Sequence, residues 1–345
     1  MKLVRKIKER MAGRYKRRER ILAPAALVRI EEGLRNDAFE PRMAAYLRYW
    51  IPYLRNQKRA GDLTFFVGSK AARRMLGLRK DEVEPPPLEQ FDQIRPWFDK
   101  GSGLFDFAGV RLVKPAGMEE AEIFASVFAD ILLPWLLGRD GADIAAGISN
   151  EGDYEYGDAV RLAPGDVVLD CGANMGMFSA MAGKRGCRVH AFEPSQYIRD
   201  LYLDRNASLN GDITVHPFAL SERRETLRFL LDRENIGSSV RAEDAKEAVL
   251  AAAAPDDFET VEAVSLDDYV RERGIERVDF IKADIEGSER MMLRGAKNIL
   301  REFAPKLSIC TYHLPDDPQV LEKIILDSQP RYTVVQGDHK LFAHV

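Results

Sequence analysis

The stretch Ile281-Lys282-Ala283-Asp284-Ile285-Glu286-Gly287 places three charged side chains at every second position of an otherwise apolar run. Read as a strand, it puts Lys282, Asp284 and Glu286 on one side and the apolar residues on the other. Charges on a buried strand cost free energy unless they are paired or functional. Two chemistries suit them, together with His313, which comes after the next strand-like run. In one, Asp284 or His313 is a general base assisted by Lys282. In the other, Asp284, Glu286 and His313 hold a divalent cation that lowers the pKa of an acceptor hydroxyl. The oxygen ligands favour Mg²⁺ or a similar hard ion, and the imidazole admits transition metals. An internal ion-pair network is the plain alternative. Gly287 permits a turn into the following helix, where Ser288 or Glu289 can act at the amino end.

A second constellation lies upstream, in VVLDCGANMGMFS (167–179). An apolar strand ends at Asp170, and Gly172, Asn174 and Gly176 then lead into a helix. The spacing D-x-G-x-x-x-G lacks the third glycine of a dinucleotide fingerprint. Asp170 would repel a pyrophosphate and suits a cationic ligand, such as the ammonium and sulfonium of S-adenosylmethionine. The backbone of Gly172, Ala173, Asn174 and Gly176 can approach such a ligand closely. Glu193, in HAFEP, ends the next strand, where an acid accepts hydrogen bonds from ribose hydroxyls. The expected cofactor set is therefore Asp170, Gly172, Ala173, Asn174, Gly176, Glu193, Ser221 and Asp284. Ser221 enters by architecture alone, as the neighbourhood of the adenine ring.

Positioning these residues requires strand ends. From about residue 160, strand-like runs alternate with helical ones: 166–172, 175–186, 189–194, 195–209, 213–220, 226–231, 278–287, 288–303, 306–313 and 318–328. Two final strand-like runs, 332–338 and 340–345, suggest a closing antiparallel hairpin. Alternation of this kind predicts βαβ units, a doubly wound and mostly parallel sheet, and a ligand at the carboxyl ends of its strands. Residues 118–137 read as one long helix, 101–109 as a turn, and PPP at 85–87 as a break. The expected organisation is a basic arm (1–20), a mainly helical extension on the acceptor side (21–145), and an α/β domain (146–345).

The ordered series PGDVVLDCGANMGMFS, AFEP, FALSE, NIGSSV, VSLDDYV, DFIKADIEGSERMMLRGA and PKLSI resembles the FkbM-type S-adenosylmethionine-dependent O-methyltransferases over roughly residues 150–312. The resemblance implies a Rossmann-like class I methyltransferase fold and methyl transfer to a hydroxyl. It implies a sugar, polyketide-type or glycolipid acceptor near Asn235, Ser238 and Ser239. Many members carry an acid near the end of the 306–313 run, before a His. Here Thr311 or Tyr312 stands in that place, while His313 remains. Tyr154, Glu155 and Tyr156 precede the first strand and either cover the cofactor or form a plain turn. An NAD-linked oxidoreductase and a non-catalytic binding module are the competing functions. The glycine spacing and Asp170 argue against the first, and the intact loop and charged strand end argue against the second.

Charge distribution limits partners. The net charge of −4 conceals a first 20 residues with 10 basic and 2 acidic side chains, and a 151–345 segment with 24 basic and 35 acidic. The acidic body argues against nucleic acid as a partner. The basic arm, with Leu3, Ile7 and Met11 on one helical face, suits a weak, salt-sensitive contact with an anionic membrane surface. A solvated tail or a contact between copies of the chain are alternatives. Three cysteines form no disulfide framework, so a reducing, cytoplasmic setting is expected, with the arm peripheral to the inner membrane face. The apolar run 123–138 is broken by Asp130 and Pro134 and is expected to be a buried helix.

Overall fold

The computed structural model describes residues 24–39, 41–48, 94–138, 152–231, 239–241, 258–337 and 339–345. The basic arm, the triple proline, Asn235 and Ser238 lie outside these residues. The chain divides into two compact units, residues 1–98 with 115–152, and residues 99–114 with 153–345.

The first unit contains helix α1 (Pro24–Arg35), a helix over 41–48, and helix α2 (Met118–Val127). A π-helical turn over Phe128–Leu132 and a further turn over Leu133–Leu137 continue α2, so the long helix expected over 118–137 is present with a local rewinding. Its core is aromatic: Tyr46 packs edge-on against Trp97 and Phe128, with ring centroids 5.9 and 5.7 Å away. Asp130 is buried within this helix and accepts from the Gly152 N–H at 3.4 Å. Among the described residues no helix is long and apolar enough to cross a membrane.

The second unit opens with strands β1 (Leu104–Phe107) and β2 (Val110–Val113), where the sequence suggests only a turn. Ala108 (φ 53°) and Gly109 (φ 88°) both take the left-handed conformation that a two-residue hairpin turn demands. The outer edge of β2 is satisfied by side chains: Asn210 accepts from the Arg111 N–H at 2.8 Å, and Asn206 from the Val113 N–H at 2.8 Å. These contacts close the ladder edge, which would otherwise leave backbone donors unpaired.

The remaining strands are β3 (Val167–Cys171), β4 (Arg188–Phe192), β5 (Asp212–His216), β6 (Phe218–Leu220), β7 (Glu225–Leu231), β8 (Ser239–Arg241) and β9 (Phe258–Val264). They continue with β10 (Phe280–Ala283), β11 (Lys306–Cys310), β12 (Thr333–Gln336) and β13 (Lys340–His344). A seven-stranded sheet runs β12-β13-β11-β10-β3-β4-β5. Strands β11 to β5 are mutually parallel, while β13 is antiparallel to both β11 and β12. This is the expected doubly wound, mostly parallel sheet with its closing hairpin. Its central strands β3 and β10 are buried along their whole length and apolar except for Asp170 and Lys282, as strands covered on both faces must mostly be. Helices α3 (Met177–Lys184), α4 (Asp204–Leu209), α5 (Leu266–Arg273), α6 (Glu289–Arg294), α7 (Lys297–Glu302) and α8 (Asp317–Ser328) flank it.

Two expectations change. The run 213–220 is not one strand. Pro217 has no N–H for the ladder and divides it into β5 and β6. Strand β6 leaves the main sheet and joins a second sheet ordered β6-β9-β7-β8. The helix expected over 288–303 breaks at Gly295, where a Cβ would lie 2.3 Å from the Ser221 carbonyl oxygen.

Candidate functional site

The carboxyl ends of β3, β4, β6 and β10 line an open pocket. Its polar wall includes Gly172, Asn174, Glu193, Asp284, Glu286 and Ser288, and its apolar wall Ile198, Phe218, Ala219, Leu220, Phe229 and Ile285. A pocket at the carboxyl edge of an open parallel sheet is where such folds bind ligands.

The floor of the pocket is made by a close approach of two turns. Gly172 has φ 78°, and a Cβ there would lie 2.0 Å from the Asp284 carbonyl oxygen. No other residue fits. Gly176, with φ 80°, faces the Leu203 side chain in the same way, its Cβ position 2.5 Å from Cδ1. The glycine spacing therefore serves packing of the loop against β10 and against the 199–203 turn, and exposes the loop backbone at Gly172 and Asn174.

Asp170 behaves differently from its expected role. It is 0% exposed and does not line the pocket. Its Oδ2 accepts from the Ser179 hydroxyl at 2.6 Å, and its Oδ1 lies 3.1 Å from the Lys282 ammonium. Lys282 also donates to the Gly172 carbonyl at 2.6 Å. Asp170 and Lys282 are register partners on β3 and β10, so the pair ties these strands at the base of the loop. Burial alone would lower the pKa of Lys282, but Asp170 and then Asp284 raise it above its ordinary value. Two buried opposite charges in contact stand or fall together.

Strand alternation does not carry Lys282, Asp284 and Glu286 to one side, because β10 ends at Ala283. Beyond it the chain turns through Glu286 (φ 54°) and Gly287 (φ 97°). Lys282 points at Asp170, whereas Asp284 and Glu286 reach the pocket wall. A glutamate in the left-handed region costs roughly 1 kcal/mol, and this strain is spent where its carboxylate meets the pocket.

Glu193 is where the sequence suggests. It is buried, and its two oxygens accept from the Asn174 N–H at 3.0 Å and the Ser195 N–H at 2.9 Å. Burial pushes its carboxyl up to about 7, against those hydrogen bonds. Ser221 is not on the pocket wall. Its hydroxyl donates to Glu225 and its N–H to the Val264 carbonyl, so Phe218, Ala219 and Leu220 form that wall instead. Ala173 and Gly176 shape the loop from within, through the Ala173 N–H to Phe192 and the Gly176 N–H to Ala173.

Asp284 is held by two phenols. Tyr154 donates to its Oδ2 at 2.8 Å and Tyr312 to its Oδ1 at 3.0 Å. Tyr312, next to His313 in the loop after β11, serves Asp284 from there. Burial would raise the Asp284 carboxyl, but Lys282, the Tyr154 hydroxyl and His313 outweigh it and hold the group below its ordinary range. The Tyr154 ring is faced by two ammonium groups, Lys340 at 4.1 Å and Lys282 at 5.3 Å. Lys340 carries no signal in the sequence. Only its place at the start of β13, beside β11, brings it to the site.

His313 sits behind Asp284, its side chain 8% exposed. Its Nδ1 lies 3.1 Å from Glu289, and its Nε2 lies 3.4 Å from Glu286 and 3.7 Å from Asp284. Burial would lower its pKa, but Glu286 and Glu289, and then Asp284, push it up to about 10. The ligand-like set whose atoms lie within 4.8 Å of one another is Asp284, Glu289 and His313, with Glu289 in place of the expected Glu286. The Glu286–Glu289 spacing of three, with a glycine between, is the sequence signal for a second carboxylate turned back by the loop.

A family model for the methyltransferase FkbM domain matches residues 170–332. The chain is similar to 31-O-demethyl-FK506 methyltransferase FkbM of Streptomyces tacrolimicus, 32% identical over 215 residues that make up 53% of this chain and 79% of that one. It is similar to methyltransferase sdnD of Sordaria araneosa, 28% identical over 169 residues, 41% of this chain and 64% of that one. Among solved structures it resembles the methyltransferase FkbM from Methylobacillus flagellatus KT, with 20% identity and a TM-score of 0.41, over 79% of this chain and 65% of that one. It thus spans less than two thirds of the last two.

Proposed function

The chain belongs to the FkbM methyltransferase family, and on that premise we propose that it is an S-adenosylmethionine-dependent O-methyltransferase acting on a hydroxyl of a sugar or glycoconjugate. The observation that carries the reading is the pocket itself. A backbone loop at Gly172–Asn174, a buried Glu193 and an ionised Asp284 surround one cavity with an apolar wall at Phe218–Leu220. When bound, S-adenosylmethionine supplies a methyl carbon whose bond to sulfur breaks as the acceptor oxygen attacks. Glu193 keeps free lone pairs for ribose hydroxyls, beyond the two N–H donors it already serves. The apolar wall suits adenine. Asp284, fixed by Tyr154 and Tyr312, presents negative charge toward a cationic ligand. These fixed dipoles need no reorganisation as the reaction proceeds.

Removal of the acceptor proton has fewer candidates than the residue types suggest. A His313 ring with a pKa of about 10 already holds its proton at neutral pH and does not act as the base in this state. Asp284 is ionised and in reach of the pocket, so it is the base of this reading. O-methylation agrees with the name of the Streptomyces relative. The saccharide acceptor rests on the family resemblance alone. The reading is tested with methyl-labelled S-adenosylmethionine and a glycan and lipid extract. Label is expected in a carbohydrate-containing fraction as an ether. Transfer only to protein or nucleic acid overturns the acceptor class.

A further inference from the structure

The apolar wall of the pocket has a charged neighbour. Glu259 lies on β9, and its register partner on β7 is Phe229, which lines the pocket. Directly opposed residues of an antiparallel pair stand on the same face, with Cβ atoms about 4.5–5.5 Å apart. Glu259 therefore lies on the face that Phe229 turns to the pocket. Its carboxylate reaches the turn that carries Pro194 and Ile198, two further wall residues, where Oε1 accepts from the Gln196 N–H at 3.1 Å. That bond fixes the carboxylate between β9 and the turn. The second oxygen, Oε2, is buried and has no hydrogen-bond partner. No lysine or arginine pairs with Glu259 among the described residues. A carboxylate oxygen shut off from water without a donor costs free energy, and a donor carried in by a ligand recovers it.

We propose that Glu259 Oε2 accepts a hydrogen bond from the 6-amino group of the adenine of S-adenosylmethionine. The assignment rests on the methyltransferase reading and deepens it, by making the pocket selective for an amino purine over an oxo purine. Asp284 and Glu193 serve the cationic end and the ribose of the ligand, and Glu259 stands beside Phe229 and Ile198, on the apolar wall that suits the base. A carboxylate accepts hydrogen bonds. On an adenine joined to ribose the ring nitrogens are acceptors too, and the 6-amino group alone carries N–H donors. A 6-oxo purine would set a second acceptor against Oε2 and leave both unpaired. Glu259 belongs to none of the sequence motifs, and only the pairing of β7 with β9 brings it to the pocket.

The test compares S-adenosylhomocysteine with S-inosylhomocysteine, its 6-oxo analogue, by calorimetry on the full chain. The wild-type chain is expected to bind the amino compound at least about tenfold more tightly, the scale of one hydrogen bond to a carboxylate. Glu259→Gln keeps the size of the side chain and an oxygen for the Gln196 N–H, and turns an amide N–H toward the base. It should weaken S-adenosylhomocysteine about tenfold and bring the two affinities within about threefold of each other. The ratio within one variant is blind to a general loss of binding, and far-ultraviolet circular dichroism checks that the variant folds. An unchanged preference in folded Glu259→Gln overturns the adenine contact and spares the methyltransferase reading. So does a wild-type chain that binds S-adenosylhomocysteine with no preference over the 6-oxo compound. A chain that binds neither compound overturns that reading and the contact with it.

Discussion

At the residue scale, the site depends on groups whose charge is set by neighbours. Asp284 stays ionised because Lys282, Tyr154 and His313 outweigh its burial. Asp284→Asn keeps the shape of the pocket and removes the charge and the base. It is expected to cut transfer by at least about 100-fold, the scale of a positioned general base, and to weaken S-adenosylmethionine, toward which its carboxylate presents charge; turnover at saturating S-adenosylmethionine and calorimetry separate the two. Glu193 gives a pH-dependent readout. Its folded pKa, about 7, lies above the ordinary 4.5, so the folded chain holds that proton more tightly than the unfolded one. The group therefore costs no stability below pH 4.5, costs increasingly more up to about pH 7, and a constant amount above. Ribose hydroxyls donate best to the ionised form. S-adenosylmethionine affinity should thus rise between about pH 6 and 8, either side of that pKa, and Glu193→Gln should flatten that rise. Of these residues, Asp170, Glu193, Asp284 and His313 stand out in the sequence by type and spacing. What spacing could not convey is direction: Asp170 turns into the core, and Ser221 turns to Glu225.

At the scale of elements, the alternation of strands and helices was legible because buried parallel strands must be apolar runs and their crossover helices must cover them. The element ends were not. A period-two reading puts Lys282 with Asp284, but β10 stops at Ala283, and the turn through Glu286 and Gly287 reorients the side chains beyond it. Pro217 hides a change of sheet inside one apolar run, and the β1–β2 hairpin hides in a glycine-rich stretch. The β3–β10 register makes a sharp prediction. Lys282→Met leaves the wholly buried Asp170 without its cation, which should cost about 3–5 kcal/mol. Chemical denaturation measures the loss, and the double variant Asp170→Asn with Lys282→Met should recover part of it.

At the scale of the whole molecule, the charge asymmetry divides the chain by task. The acidic excess of residues 151–345 includes Glu193, Asp284 and Glu286 at the pocket, with Asp170 and Glu289 fully buried. Tyr154 and Lys340, which frame Asp284, lie outside the span that the family model matches. Sequence spacing within the motifs cannot reach them, since only the closing hairpin and the segment before β3 bring them in. The basic excess belongs to residues 1–20. A membrane contact through this arm, at about 1 kcal/mol per basic residue near the surface, predicts low-salt binding to anionic phospholipid vesicles that is lost when residues 1–20 are removed and screened by about 0.5 M salt; vesicle sedimentation checks this, and no binding by the full chain contradicts it. On the proposed function, the pocket between the Gly172 loop, Glu193 and Asp284 takes a cationic methyl donor and not a dinucleotide. Calorimetry of the full chain with S-adenosylmethionine, S-adenosylhomocysteine and NAD tests it most directly. Saturable binding of the first two at one site per chain, and none of NAD, is the expected result. Binding of NAD alone would contradict it.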